Sequence, residues 1–246
     1  MNASAVLPKL PKEEAFNKSF FRQIVQGIYP DCAETSIDWM LRTLREQGSL
    51  ASVGRGKYRR ITKGFSIKKK YDYPHSMEYL ELEKFILEAF PCVDLQMWEL
   101  IQMNDFVNHQ ISKNVIFVEI EDMLIDTVFD LIHENYPYAM IQPKADMFFR
   151  QRAPKTDIVV QKLISEAPKS HNNHSCTPEK ILVDLLSKKL TGNLVEKSEY
   201  PRIYEDVFKK YAVDEVRMFR YAKRRNIYEN LISFLKTKTK VKLLTI

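Results

Sequence analysis

ETSIDWMLRTLREQGSLASVGRGKYRRI, residues 34–61, decides how the N-terminal third folds. At 100° per residue Ile37, Met40, Leu41 and Leu44 share one stripe, the pattern of a helix packed on one side and running over about 34–47. Asp31 is placed to cap it, with Glu34 three residues on to complete a capping box. Thr35, Trp39, Arg42 and Glu46 fall on the opposite face, with Thr43 at its edge. After Gly48, Leu50 and Val53 read as one strand and Tyr58 and Ile61 as the next. Gly54, Arg55 and Gly56 form the turn between them, because glycine tolerates positive φ.

Upstream, AFNKSFFRQIVQG (15–27) repeats Phe16, Phe20, Ile24 and Ile28 at helical spacing, and Gly27 and Pro30 stop that helix. A helix, a second helix and a basic hairpin, in that order, predict a winged helix-turn-helix over residues 16–63. In such a module the second helix enters the major groove of duplex DNA and the hairpin lies along phosphates or the minor groove. The residues expected to touch DNA are Thr35, Ser36, Trp39, Arg42, Thr43 and Arg45 on the helix. On the hairpin they are Arg55, Lys57, Arg59 and Arg60. For Trp39 the alternative is packing beneath the hairpin or against the next domain.

Charge points the same way. The chain carries a net +6, but residues 1–70 hold 14 Lys and Arg against 6 Asp and Glu, a net +8, which leaves the remainder at −2. That asymmetry fits a polyanion-binding module joined to something else, and equally a solvated basic surface. Apolar runs such as 115–118 are far too short to span a bilayer, and the N-terminus lacks a signal pattern, so a cytoplasmic chain is expected. Cys32, Cys92 and Cys176 are too few and too scattered for a disulfide framework or a paired metal site.

Residues 1–66 therefore read as the DNA-binding domain and 67–76, with Lys68–Lys70 and Pro74, as a linker. Residues 77–246 read as a larger α/β domain ending in helices. MEYLELEKFILEAF (77–90) is an amphipathic helix, and VDLQMW (93–98), NVIFVEIE (114–121), YAMIQ (138–142) and DIVVQKLI (157–164) are strands. MNDFVNHQ (103–110) is a short helix, and DMLIDTVFDLIHEN (122–135) is a longer one capped by Asp122. TPEKILVDLLSKKL (177–190) is a helix with Thr177 as N-cap and Pro178 at its first position. Helices are also expected at about 201–211, 213–224 and 225–237. The fold class is α+β.

The stretch GSLASVGRGKYRR after a TSIDWMLRTLREQ helix resembles the N-terminal winged helix of the AbiEi antitoxins of type IV toxin–antitoxin systems. Gly48, Leu50, Val53, Gly54, Gly56 and Tyr58 stand at the matching places. DIVVQKLISEAP, then PEKILVDLL with Pro178, Glu179 and Asp184, then RMFRYAKRRN are similar to blocks of the AbiEi C-terminal domain. The resemblance implies repression of the protein's own operon through duplex DNA, at an operator of inverted repeats. It also implies neutralisation of a nucleotidyltransferase-like toxin by the C-terminal domain, with no cofactor and no enzyme activity.

Other chemistry has weaker sequence support. His171, His174 and Cys176 stand at metal-ligand spacing without a fourth ligand. Asp94, Glu119, Glu121 and Asp157 lie near strand edges with Lys162 nearby, but none forms the acid-x-Lys pair of a metal-dependent nuclease. Asp184, flanked by apolar residues, calls for an arginine partner from the terminal helices. Arg217, Arg220, Lys223 and Arg224 follow helical spacing, with Arg225 beside them, and are the expected contacts to a protein partner. Contact with DNA, pairing with internal acids and a solvated face are the alternatives. A metal-dependent nuclease or a ligand-sensing DNA-binding regulator are the competing functions.

Overall fold

The computed structural model describes residues 2–12, 14–54, 56–61, 70–170, 174–187 and 190–243. Its N-terminal module begins with a 3-10 segment, Ala3–Lys9, followed by strand β1 (Ala15–Asn17) and helices α1 (Lys18–Gln26) and α2 (Glu34–Glu46). Strands β2 (Leu50–Gly54) and β3 (Lys57–Arg60) close it, giving a three-stranded antiparallel sheet in the order β1-β3-β2. The stripe of α2 is buried as its period demands: Ile37, Met40, Leu41 and Leu44 join Phe16, Phe21, Val25 and Leu50 in one core. Gly56 takes φ +69°, the left-handed conformation that the turn before β3 requires.

Local caps differ from expectation. The N-cap of α2 is Ala33, with no side-chain hydrogen bond, so the Asp31–Glu34 capping box does not form. Glu34 instead reaches α1, 2.6 Å from Arg22 and 3.3 Å from Lys18. Residues 15–17, expected to open a helix, form β1, and the Asn17 side chain caps α1 by accepting from the Phe20 amide at 2.8 Å.

The larger part opens with α3 (Met77–Ala89). It continues through β4 (Leu95–Glu99), a 3-10 segment (Leu100–Asp105), β5 (Val115–Ile120) and α4 (Ile125–Asn135). Then come β6 (Met140–Ile141), α5 (Ala145–Arg150) and β7 (Asp157–Lys162). The sheet runs β4-β5-β7-β6, with β4 antiparallel to β5 and β5, β7 and β6 mutually parallel. Helices α6 (Pro178–Leu185), α7 (Tyr200–Lys210), α8 (Glu215–Arg224) and α9 (Tyr228–Lys238) follow. The whole is mixed α and β with a helical C-terminus. Asp122 does not cap α4, whose N-cap is Leu124; it pairs with Lys162 at 2.6 Å.

The sheet is covered on both faces, which is why VIFV (115–118) reads as an unbroken apolar run and why Glu119 beyond it is buried as well. On one side Ile116, Val118, Ile120, Ile158 and Val160 pack under α3 and α4 through Leu82, Ile86, Val128 and Ile132. On the other, Val115, Phe117 and Val159 meet α6 to α9 through Leu182, Tyr204, Met218 and Leu231. Trp98 and Phe117, directly paired across β4 and β5, stack with centroids 4.4 Å apart. Among the described residues the buried Trp98 indole N–H has no hydrogen-bond partner.

Glu99, wholly buried at the end of β4, ties the chain before α3 to the sheet. Its carboxylate accepts from the Ser76 amide (2.8 Å), the Ser76 hydroxyl (2.7 Å) and Asn114 Nδ2 (2.7 Å), and lies 3.3 Å from His75 Nδ1. Burial alone would raise its pKa, but these hydrogen bonds outweigh burial and hold it below the ordinary carboxylate value. A depressed folded pKa means stability that is present above the unfolded value, about 4.3, and lost as pH falls through the folded one. Glu99→Gln should therefore lower stability to urea at about pH 7 and make stability fall less steeply on acidification. An unchanged pH profile would count against this assignment.

Candidate functional site

The outward face of α2 is formed as the periodicity requires. With Ile37, Met40, Leu41 and Leu44 inside, Thr35, Trp39 and Arg42 are exposed and Ser36 and Thr43 half-buried. Trp39 is 52% exposed. The Arg42 side chain is 77% exposed, with Glu46 3.5 Å away on the next turn. On the hairpin Lys57 is exposed and Arg59 and Arg60 are half-buried, while Arg55 lies outside the described residues. β2 and α2 pack together, so helix and hairpin form one unit.

Of the three acids on α2, Glu34 and Asp38 are neutralised by α1, while Glu46 on the outward face is met by Arg42 of the same helix. Lys18 sits 2.6 Å from Asp38, and Arg22 lies 2.6 Å from Glu34, holding the Glu34 carboxyl below its ordinary pKa. No local sequence rule marks Lys18 and Arg22 as contributors; the signal is their four-residue spacing, matched by Glu34 and Asp38, also four apart. Arg45 is drawn elsewhere: it lies 3.8 Å from Asp214, the residue that caps α8.

The basic stripe of α8 is engaged within the chain. Arg217 donates to the Lys169 carbonyl at 2.8 Å, Arg220 pairs with Glu166 at 2.8 Å and Arg224 donates to the Ser165 hydroxyl at 2.5 Å. Lys223 lies over the Tyr228 ring, 4.7 Å from its centroid. Three of these four cations thus clamp the segment that leaves β7, and the face is partly occupied by its own chain.

The acids considered as metal ligands are dispersed. Asp94 pairs with Lys169, and Glu121 accepts from the Asp94 amide at 3.3 Å. Asp157, fully buried, is held by Arg152 and the Ala153 amide, with Lys113 3.6 Å away. His174 sits 3.2 Å from Glu83 and Cys176 is buried as a free thiol, while His171 lies outside the described residues. Cys32 and Cys92 are likewise free. Among the described residues no three His, Cys, Asp or Glu side chains converge as a metal would require.

What the fold does assemble is a buried ion cluster. Lys180 on α6 is fully buried and bonds Glu119 of β5 and, at 2.6 Å, Asp184 one turn on. Gln161 of β7, in register with Glu119, donates to the same carboxylate at 3.2 Å. Asp184 also accepts from the Tyr221 hydroxyl at 3.0 Å and meets Arg225 at 3.2 Å, the arginine partner its apolar flanks called for. Burial opposes the charge on Lys180, but Asp184 and Glu119 hold its pKa well above the ordinary lysine value. Burial pushes Glu119 up, and the Asp184 charge adds to that. Lys180 was not singled out in the sequence, although Lys180 and Asp184, four apart among apolar residues, were the sign.

Removing one member of such a cluster strands the others' charge. Lys180→Met should cost about 3–5 kcal/mol in urea unfolding, because two buried carboxylates lose their shared counterion. Combining it with Glu119→Gln should cost less than the two single changes added together. A loss below about 1 kcal/mol for Lys180→Met would mean the cluster is hydrated.

Among the described residues no helix is long and apolar enough to cross a membrane. No curated protein matches the chain. Residues 36–241, from within α2 to beyond α9, match a family described as a family of unknown function, DUF6577. With the match spanning both the hairpin and the whole of the larger α and β part, the chain belongs to the DUF6577 family.

Proposed function

We propose that this protein is a cytoplasmic DNA-binding regulator whose residues 16–63 act as a winged helix-turn-helix. On this reading α2 enters the major groove and the β2–β3 hairpin runs along the phosphates. The observation that carries it is the outward face of α2, where Trp39 and Arg42 are exposed on the helix that packs against the first strand of a basic hairpin. Arg42 is suited to guanine or phosphate, Thr35 and Ser36 to the backbone, and Trp39 supplies apolar contact to a base edge or sugar. Neutralisation of Glu34 and Asp38 by α1 removes two of the three acidic charges of α2 that would oppose this approach, leaving Glu46 beside Arg42.

The resemblance to AbiEi antitoxins adds a purpose. In this proposal the protein represses its own operon at inverted repeats, and residues 77–246 neutralise a nucleotidyltransferase-like toxin. It acts by binding, without catalysis. With Arg217, Arg220 and Arg224 held by the segment after β7, Lys223 and the exposed part of Arg220 are the cations most available to that partner.

Full-length protein titrated into a labelled duplex carrying its own upstream region tests the DNA reading. Affinity should fall linearly with salt on logarithmic axes, and Arg42→Ala and Lys57→Ala should each reduce the slope by about 1. Trp39→Ala should weaken binding without changing the slope. Absence of binding at low salt, or wild-type behaviour of both charge variants, rejects it. Co-expression with a nucleotidyltransferase-like toxin encoded beside the gene should relieve growth arrest; persistent arrest counts against the antitoxin role alone.

A further inference from the structure

β5, β7 and β6 run parallel, and a cavity of about 380 Å³ opens at their carboxyl ends. That edge is where open α/β sheets bind ligands, and the volume falls within the range of small-molecule sites. Gln142, directly after β6, lines it in a left-handed conformation at φ +40°, with its amide donating to the Val160 carbonyl at 2.8 Å. A non-glycine residue held there stores strain of about 1–3 kcal/mol, of the kind that gathers at functional sites. The far wall is the segment Leu190–Asn193, folded back on the end of α6 where Gly192 leaves no room for a side chain: a Cβ there would stand 2.3 Å from the Ser187 carbonyl oxygen.

The charges in the wall define what fits. Glu119 and Asp184 reach the cavity, but Lys180 answers both, and Gln161, Tyr221 and Arg225 take further oxygen positions. The acids are thus already paired. Cations remain in excess: Lys144 is exposed at the rim with no ion pair among the described residues, and Lys162 is answered by Asp122 outside. Arg225, its side chain nine-tenths buried, gives one nitrogen to Asp184 and has other N–H donors. Val159, Ile164 and Leu190 supply an apolar part of the lining.

We propose that this cavity binds a small organic anion, its phosphate or carboxylate held by Lys144 and Arg225 and its body lying against Val159, Ile164 and Leu190. The inference is independent of the DNA-binding reading.

Calorimetric titration of the full-length protein tests it with phenyl phosphate, benzoate, inorganic phosphate and neutral benzyl alcohol. The expected result is saturable binding of phenyl phosphate or benzoate, the tighter of the two identifying the anionic group, with benzyl alcohol silent and inorganic phosphate weaker. Lys144→Glu should weaken the tighter ligand about tenfold or more, the worth of a charge-assisted hydrogen bond, while unfolding in urea like the wild type. Heat from neither organic anion, equal binding of benzyl alcohol, or undiminished binding to Lys144→Glu would overturn the proposal.

Discussion

An ammonium group shut away from water must find opposite charge within reach, and in this protein that group is Lys180. The double burial of the sheet creates the demand. Because helices cover both faces of β5 and β7, Glu119 is buried and needs a partner delivered to it, and the half-buried Gln161 supplies one from the neighbouring strand. Helix α6 delivers Lys180 and Asp184 from adjacent turns, and α8 with its C-cap delivers Tyr221 and Arg225. Sheet and helices are thereby fixed in register by electrostatics as well as by shape, and the cavity at the strand ends inherits its wall from the same contacts.

Helix α8 has three obligations at once. Met218, Phe219 and Ala222 fill the core, Arg217, Arg220 and Arg224 hold the segment after β7, and its N-terminal end meets the small module. Asp214 caps the helix, lies 3.8 Å from Arg45 of α2 as its ion partner and offers its own amide to Glu179 at 2.7 Å. A stripe that looks like a free basic surface on a helical wheel is therefore largely spoken for.

The sequence revealed elements through their periods and missed what depends on partners distant along the chain. The stripe of α2, the hairpin, the strands β4, β5 and β7 and the terminal helices were legible, because burial on one side or both leaves a repeat that a short window captures. β1 was not: three residues are too few to display a period of two, and Phe16 fits the helical spacing of Phe20 and Ile24 equally well. The six-residue α5 escaped for the same reason. Capping by Asp31 with Glu34, and by Asp122, failed because Glu34 and Asp122 are used by Arg22, Lys18 and Lys162, residues that no local rule connects to them. Asp184 was legible as a charge needing an arginine, whereas the lysine one turn before it passed as an ordinary helix-former.

The chain has two tryptophans, and the fold has made them opposites. Trp39 stands half in solvent on the small module. Trp98 lies in the larger core, stacked on Phe117, with its indole nitrogen unbonded among the described residues. An indole in water relaxes its surroundings after excitation and emits at longer wavelength than one in a rigid apolar site. Each part of the molecule thus carries its own optical label, red for the small module and blue for the large core. Whether the two parts melt as one cooperative unit is written into the shape of a single emission spectrum.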